Sequence, residues 1–202
     1  YVVYGRTDGF SRLIELSALS GTNGFTINGD RAHGYTSRSV SSVDDINGDG
    51  IDDLIIDAPR FFSGRSFVVY GRSEGFNTPF ELSSLDNTNG LILNGANMGD
   101  GAGSSLSGAG DVNGDGIADF LIGAPSADPD DNSSGQSYVV YGRTDSFTTP
   151  LELSTLDGTN GFALNGNKTS ILSGISINEA GDVNNDSIDD LIIGAVESGD
   201  DN

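Results

Sequence analysis

Asp111-Val112-Asn113-Gly114-Asp115-Gly116-Ile117-Ala118-Asp119 is the stretch that decides the fold, because the chain contains three versions of it. The other two are residues 45–53, DINGDGIDD, and residues 182–190, DVNNDSIDD. A second motif, Val-Val-Tyr-Gly-Arg, begins at residues 2, 68 and 139, so both motifs recur at intervals of 66 and then 71 residues. Several motifs repeated in one phase indicate a single supersecondary unit that is used several times.

Each unit is predicted to contain four short strands. Residues 67–70 and 90–94 are rich in β-branched and other apolar side chains, and residues 104–109 and 120–122 give the remaining two strands of a unit. Gly, Asn, Asp and Pro fill the connections, and residues 16–19 are compatible with one turn of helix. Four strands per unit of about 66 residues, without a long helical period, predict an all-β fold, and favour propeller blades over a sandwich or a solenoid.

Composition excludes several classes of function. The 202 residues include 30 acidic and 9 basic side chains, which gives a formal net charge of −21. Such a chain is not expected to bind nucleic acid or an anionic lipid surface. The absence of Cys excludes disulfides, thiolate metal sites and Cys nucleophiles. No apolar run is long enough to span a membrane. The sequence starts at Tyr1, inside an apolar run and without a signal sequence, and we interpret it as a fragment.

The repeated acidic stretch has the pattern of a metal-binding loop. Oxygen-bearing side chains stand at positions one, three, five and nine, and small residues between them allow the backbone to wrap around one cation. Position seven can add a backbone carbonyl, so an Ile is acceptable there. An all-oxygen ligand set favours Ca²⁺ over Zn²⁺ or Mg²⁺, and we expect about three structural calcium ions. The candidate ligands are Asp45, Asn47, Asp49, Ile51 and Asp53; Asp111, Asn113, Asp115, Ile117 and Asp119; and Asp182, Asn184, Asp186, Ile188 and Asp190.

The repeated acidic stretch has two alternative interpretations. An EF-hand requires a Glu at position twelve and flanking helices, but position twelve is Ile56, Ile122 or Ile193 within a predicted strand, so an EF-hand is excluded. Tight Asn-Gly and Asp-Gly turns that hold no metal remain the second alternative. Of the three loops, the third is expected to bind most weakly, because Ser187 stands at position six, where the other loops have Gly.

These motifs resemble a known family. Residues 103–116, GSSLSGAGDVNGDG, followed by Gly123-Ala124-Pro125, are similar to an FG-GAP repeat. The resemblance implies blades of the seven-bladed β-propeller found in integrin α subunits and in similar bacterial surface proteins. The chain departs from the family pattern at the Phe position, where it has Thr36, Ala102 and Ser173, and at the Gly-Ala-Pro motif, where it has residues 57–59, DAP, and 194–196, GAV.

The resemblance also implies how the chain divides into blades. Residues 1–29 are expected to be the second half of a blade, residues 30–95 and 96–166 two blades, and residues 167–202 the first half of another. The chain is then about three repeats of a larger propeller. Its open blade edges are expected to allow self-association.

Several further residues are functional candidates. Arg60, Phe61, Phe62 and Arg65 lie in a loop opposite the metal loops and are either a partner-binding surface or packing between blades. His33, the only histidine, is expected to face solvent in a loop. Some charged residues recur in every repeat, which indicates structural pairing within blades rather than a catalytic site. They are Arg6, Arg72 and Arg143, the acids two residues after them, Asp8, Glu74 and Asp145, and also Glu15, Glu81 and Glu152.

The predicted function is that of a calcium-binding propeller module in an extracellular or cell-surface protein. It is expected to act in adhesion or in protein or glycan binding, with the ligand on the face opposite the calcium loops, without membrane insertion and without enzymatic activity of its own. The alternative is an accessory propeller segment of a secreted hydrolase whose catalytic residues lie outside this chain. A calcium buffer or sensor is disfavoured, because the loops lie in rigid β-hairpins.

Overall fold

The computed structural model describes residues 1–30, 36–58, 63–129, 134–167 and 171–197, and within these ranges the chain is all-β. The helical segments of these ranges are three 3-10 turns, at Leu16–Ala18, Leu82–Ser84 and Leu153–Thr155, which occupy the same place in each repeat. No helix in the described ranges is long and apolar enough to cross a membrane. The predicted all-β fold is confirmed.

The described residues form strands of two to six residues, as expected for a chain in which Gly, Asn and Asp interrupt every apolar run. In chain order they are β1 (Val2–Val3), β2 (Gly24–Phe25), β3 (Ile27–Asn28), β4 (Val40–Ser42), β5 (Leu54–Ala58), β6 (Arg65–Val69), β7 (Phe80–Glu81), β8 (Gly90–Asn94), β9 (Ser105–Gly110), β10 (Asp119–Ala124), β11 (Gln136–Val140), β12 (Leu151–Glu152), β13 (Gly161–Asn165), β14 (Ser176–Gly181) and β15 (Asp190–Gly194).

Two larger sheets each contain four antiparallel strands, and β12 adds a fifth, parallel strand to one of them. One sheet has the strand order β12-β8-β6-β5-β4, and the other has the order β13-β11-β10-β9. Equivalent residues pair in both sheets, with Ile55 opposite Val68 and Leu121 opposite Val139. The strand pairs β1-β2, β3-β7 and β14-β15 form two-stranded sheets. The blade boundaries at residues 29, 95 and 166 stay predictions.

Short parallel strands link each repeat to the one before it. β7 pairs with β3, and β12 pairs with β8. The Nδ2 atom of Asn28 donates a hydrogen bond to Glu81 Oε1 at 2.8 Å, and Asn94 Nδ2 donates to Glu152 Oε1 at 2.7 Å. The recurrence of Glu81 and Glu152 is therefore structural, although the bonds run between repeats rather than within one blade.

The hydrophobic core lies between successive sheets. Side chains alternate between the two faces of a strand, so Ile55 packs in one cluster with Leu106 while Ile56 packs in another with Phe25. Both faces of the central strands are covered, and residues 120–124 of β10 are buried throughout. This explains why these strands are continuous apolar runs instead of alternating apolar and polar residues.

The Gly-Ala-Pro motif marks a close approach between sheets. A Cβ atom added to Gly123 would lie 2.1 Å from the carbonyl oxygen of Gly174, so only glycine fits there. The first repeat has Asp57 at this position, and its carboxyl group is buried. Asp57 Oδ1 accepts the N–H of Ser39 at 2.8 Å, Oδ2 has no partner among the described residues, and burial raises the pKa of Asp57 to about 6.

Candidate metal centre

Three acidic loops connect β4 to β5, β9 to β10 and β14 to β15. Each loop folds around the carboxylate at its first position. Asp45 Oδ1 accepts the N–H groups of Gly48 at 2.7 Å and Asp49 at 3.0 Å, and its Oδ2 accepts that of Gly50 at 2.7 Å. In the second loop, Asp111 accepts the three equivalent N–H groups at 2.7, 3.1 and 2.8 Å. The identical networks show that the repeated sequence produces a repeated local structure.

The side chains at positions three and five also bind the backbone of their own loop. Asn47 Oδ1 accepts the N–H of Asp49 at 2.9 Å, and Asp49 Oδ1 accepts the N–H of Ile51 at 2.9 Å. These contacts are Asx turns, and they close the loop without any other group, as the metal-free alternative requires. A carboxylate or amide oxygen that accepts one N–H keeps a second lone pair, so the same atoms can also coordinate a cation.

The carboxylate at position nine is buried at the base of the loop. Asp53 is fully buried, and its oxygens accept the N–H of Ile46 at 3.2 Å and of Gly71 at 2.8 Å. The pKa of Asp53 is raised to about 7, chiefly by burial; the two backbone hydrogen bonds lower it in part, and the nearby charges of Asp49 and Asp45 act in the same direction as burial. Asp119 repeats this environment, with a pKa raised by burial to about 7. A carboxylate in this position favours a compensating positive charge beside it.

The third loop has the same plan with a different backbone composition. Ser187 has a φ of 71° and Asn185 a φ of 65°, whereas the glycines at these positions in the other loops have φ between 74° and 86°. Ser187 and Asp186 donate their N–H groups to Asp182 at 2.8 and 3.0 Å. The positive φ expected at position six is therefore present in all three loops, and only in the third does a residue with a Cβ adopt it there.

The donor atoms fit a hard divalent cation in type and charge. Each loop offers three carboxylates, one amide oxygen and one backbone carbonyl, which is the ligand chemistry of calcium. Among the residues that the structure describes, no three acidic or histidine side chains form a group that could hold a metal ion. The ligand assignment for the three loops therefore stays a prediction.

One contact between loops could not be found from the repeat pattern. Asp189, at position eight of the third loop, accepts the N–H of Asp111 through Oδ2 at 2.8 Å and donates its own N–H to the Asp111 carbonyl at 3.2 Å. This residue thus fixes the third loop against the second. The first loop has Asp52 at this position and the second has Ala118, so the only sequence signal was a variable residue inside an otherwise repeated motif.

The recurring arginines require a correction. Arg6 forms the predicted pair with Asp8 at 2.9 Å on the exposed surface. Arg72 instead lies 4.5 Å from the ring centre of Phe76, and Arg143 lies 4.9 Å from that of Phe147, without an ion pair to a described residue. The partner within the blade is therefore an aromatic ring for two of the three arginines, and the expected pairing with the acid two residues later is wrong for Arg72 and Arg143.

The predicted partner-binding loop falls mostly outside the described residues. Arg60, Phe61 and Phe62 belong to the undescribed part, as does His33. Arg65 lies in β6, where its side chain donates to Asp30 Oδ2 at 2.9 Å and to Asn94 Oδ1 at 3.2 Å. These bonds hold Arg65 within the fold, and its role in partner binding stays a prediction.

Comparison with known proteins identifies the repeats. The family model described as FG-GAP repeat matches residues 37–70 and 102–140, each of which spans the first three strands and the acidic loop of a unit. The chain is 30% identical to integrin alpha-IIb of Mus musculus over 176 residues, which cover 84% of this chain and 16% of that protein. It is 28% identical to integrin alpha pat-2 of Caenorhabditis briggsae over 180 residues, or 83% of this chain and 14% of that protein.

The chain is also similar to a protein that is named as an enzyme. Phosphatidylinositol-glycan-specific phospholipase D of Rattus norvegicus is 36% identical over 110 residues, or 51% of this chain and 13% of that protein. The chain thus spans between 13% and 16% of the length of these three relatives. The four-stranded units and the integrin alpha relatives fit a β-propeller, and residues 37–70 and 102–140 of this chain are FG-GAP repeats.

Proposed function

We propose that this chain is a calcium-stabilised propeller module of an extracellular or cell-surface protein that acts in adhesion by binding a protein or a glycan. The observation that carries the proposal is the same oxygen-rich loop, with the same hydrogen bonds around its first Asp, at the same place in three repeats. The similarity to integrin alpha chains over more than four-fifths of the sequence supports the adhesive role.

Each bound ion would be held by the carboxylates at positions one, five and nine, the amide oxygen at position three and the carbonyl at position seven. Its contribution would be charge compensation. In the first loop, the charges of Asp45 and Asp49 act on the buried carboxylate of Asp53, and a divalent cation would replace this repulsion by attraction. The ions would thus stabilise the loops and take no part in a reaction.

We place the ligand on the face opposite the calcium loops. The β4-β5 and β9-β10 loops carry the acidic motifs, and in an antiparallel meander the next connections, β5-β6 and β10-β11, lie at the other end of the strands. The β5-β6 connection contains Arg60, Phe61 and Phe62, residue types that are frequent in binding hot spots. The longer β10-β11 connection is acidic and differs from it, as expected for a variable surface.

The alternative is an accessory segment of a secreted hydrolase. It is favoured by the similarity of half of this chain to the rat phospholipase D. The larger coverage by the integrin alpha chains makes the adhesion module the preferred proposal. A catalytic domain in the full-length protein would decide for the alternative.

Calcium titration by calorimetry tests the metal part of the proposal. The chain should bind about three Ca²⁺, and each of the variants Asp49→Asn, Asp115→Asn and Asp186→Asn should lose one binding event. Glu15→Gln, an exposed acid outside the loops, is the matched control and should bind like the parent chain. Equal heats for all four variants and the parent would reject the loops as calcium sites.

A further inference from the structure

A cavity of about 680 Å³ lies beside the first acidic loop, at the end of the sheets that carries these loops. The buried rings of Tyr70 and Phe147 are among its lining side chains. Its volume is in the range of pockets that hold small organic ligands. The walls come from residues 47–51 of the acidic loop, residues 70–74 after β6, residues 87–89 before β8 and residues 143–147 after β11.

Two arginines line this cavity, and neither forms an ion pair with a described residue. They are Arg72 and Arg143, whereas the equivalent Arg6 pairs with Asp8 at 2.9 Å. The Nε atom of Arg143 is buried and has no hydrogen-bond acceptor among the described residues. A partly buried guanidinium that lacks an acceptor costs free energy, and an anionic group that enters the cavity would supply one.

The fold holds Arg143 in place at both its backbone and its side chain. Its backbone N–H donates to the carbonyl of Ile46 in the first acidic loop at 2.9 Å. Its guanidinium carbon lies 4.9 Å from the ring centre of Phe147, which is only 4% exposed and so is fixed in the core. A guanidinium held in this way loses less conformational freedom when it binds a carboxylate than a freely moving surface side chain does.

Three acidic residues also line the cavity, but they lie closer to solvent than the arginines. Asp49, Glu74 and Asp145 are exposed, whereas Arg72 and Arg143 are half-buried. Exposed charges are screened by salt more strongly than partly buried ones, so the arginines dominate in the depth of the cavity. If calcium occupies the first loop, as the proposed function requires, it also compensates the charge of Asp49.

The remaining polar groups of the cavity favour a sugar over a peptide. Side chains of Asn, Ser and Thr both donate and accept hydrogen bonds, as the hydroxyl groups of a sugar do. An extended peptide would instead need the edge of a strand, and the lining residues of this cavity all lie outside the strands. The neutral polar lining residues include Asn47, Ser73, Asn87, Thr88, Thr144 and Ser146.

We propose that this cavity binds an acidic sugar. The carboxylate of the sugar pairs with Arg143, Arg72 adds a second positive charge, and the hydroxyl groups bond to the Asn, Ser and Thr side chains of the walls. The site lies at the opposite end of the sheets from the surface proposed above for a protein or glycan ligand. Loss of binding at one site therefore leaves the other untouched, and the two proposals can fail separately.

Titration followed by ¹H–¹⁵N NMR in a calcium-containing buffer tests the class of ligand. Sialyllactose or digalacturonate should shift the resonances of residues 143–147. Lactose and the dimethyl ester of digalacturonate keep the hydroxyl groups without the charge, and they should bind at least about tenfold more weakly. Triglutamate, which carries its carboxylates on a peptide, should also bind at least about tenfold more weakly. Binding of neither acidic sugar, or equal binding of the neutral sugars or of triglutamate, would overturn the proposal.

Variants of the chain test the residues of the site. Arg143→Gln should weaken binding of the acidic sugar at least about tenfold, and Arg143→Lys should restore only part of it, because an ammonium group cannot pair with a carboxylate through two parallel bonds. Ser146→Glu adds a negative charge at an exposed wall position, leaves the contact of Arg143 with Phe147 intact, and should weaken binding as well. Arg6→Gln, in the same motif but outside the cavity, is the matched control and should bind like the parent chain. Unchanged binding by Arg143→Gln or Ser146→Glu, or an equal loss in Arg6→Gln, would contradict the proposal.

Discussion

Replacing Ser187 by Gly in the third acidic loop should stabilise the protein by about 1 kcal/mol. Ser187 has a φ of 71°, and a residue with a Cβ in this region costs about 1–2 kcal/mol. Glycine avoids that cost but gains freedom in the unfolded chain worth about 0.5–1 kcal/mol, which leaves a net gain of about 1 kcal/mol. For a domain of this size the melting temperature should rise by about 2–4 °C. If calcium binding requires the same backbone conformation, the affinity of the third loop should rise about fivefold.

The reverse substitution is the matched control. Gly116 occupies position six of the second loop with a φ of 85°, and a Cβ atom there would meet nothing within 4 Å. Gly116→Ser should therefore cost about 1 kcal/mol through the backbone alone. Thermal unfolding and calcium titration of both variants give the two measurements. Unchanged melting temperatures in both, or a Ser187→Gly variant less stable than the parent, would refute the reasoning from φ.

Three further predictions follow from other parts of the chain. Asp57→Asn should become more stable than the parent chain as the pH rises from about 4 to 6, by on the order of 2 kcal/mol. The buried carboxyl group of Asp57 has a pKa raised to about 6, so its ionisation at higher pH costs the folded parent chain free energy that the neutral Asn does not cost. Equal slopes of the free energy of unfolding in urea against pH for the two chains would reject this. Asp189→Ala should cost about 1–2 kcal/mol in denaturant unfolding, because it leaves the Asp111 N–H without its acceptor; a change below about 0.3 kcal/mol would reject this. Replacing Phe61 and Phe62 by Ser should weaken ligand capture on a protein or glycan array while the melting temperature stays unchanged, and a large loss of stability would instead identify them as core.

The repeated local structure could be predicted from the sequence. The acidic loops, the central strands and the short 3-10 turns each depend on residues close together in the chain, and the same residues give the same structure in every copy. The Asx networks around Asp45 and Asp111 are an example, because all partners lie within five residues. The acidic loop could therefore be located from one sequence, whereas its metal content stays a prediction.

Contacts between repeats could not be predicted in the same way. Arg6 and Arg72 stand in the same motif, but Arg72 lies over Phe76, which stacks on Phe25 of the preceding repeat at 4.1 Å. The equivalent Phe10 is 52% exposed, and Arg6 pairs with Asp8 instead. The sequence motif is the same around Arg6 and Arg72, so the contact that each arginine makes depends on whether a neighbouring sheet supplies an aromatic ring to pack against.

The burial of Asp57 has a similar origin. Asp57 stands where the Gly-Ala-Pro motif has its glycine. This difference indicated that the local packing changes, but it did not indicate how. Only the approach of the next repeat shows that the side chain enters the core, where a Cβ atom added to Gly103 would lie 3.4 Å from the Asp57 Cβ. Distances between repeats decide such effects, and they are absent from the pattern within one repeat.

Thermal unfolding with and without calcium tests most directly whether these loops are structural metal sites. With a dissociation constant near 10⁻⁴ M for each site, 1 mM free Ca²⁺ should add about 1.4 kcal/mol per loop and about 4 kcal/mol for three. The melting temperature should then be about 10 °C higher in Ca²⁺ than in excess chelator, with a smaller rise in 1 mM Mg²⁺. The same melting temperature in calcium, magnesium and chelator would show instead that the Asx turns alone hold the loops.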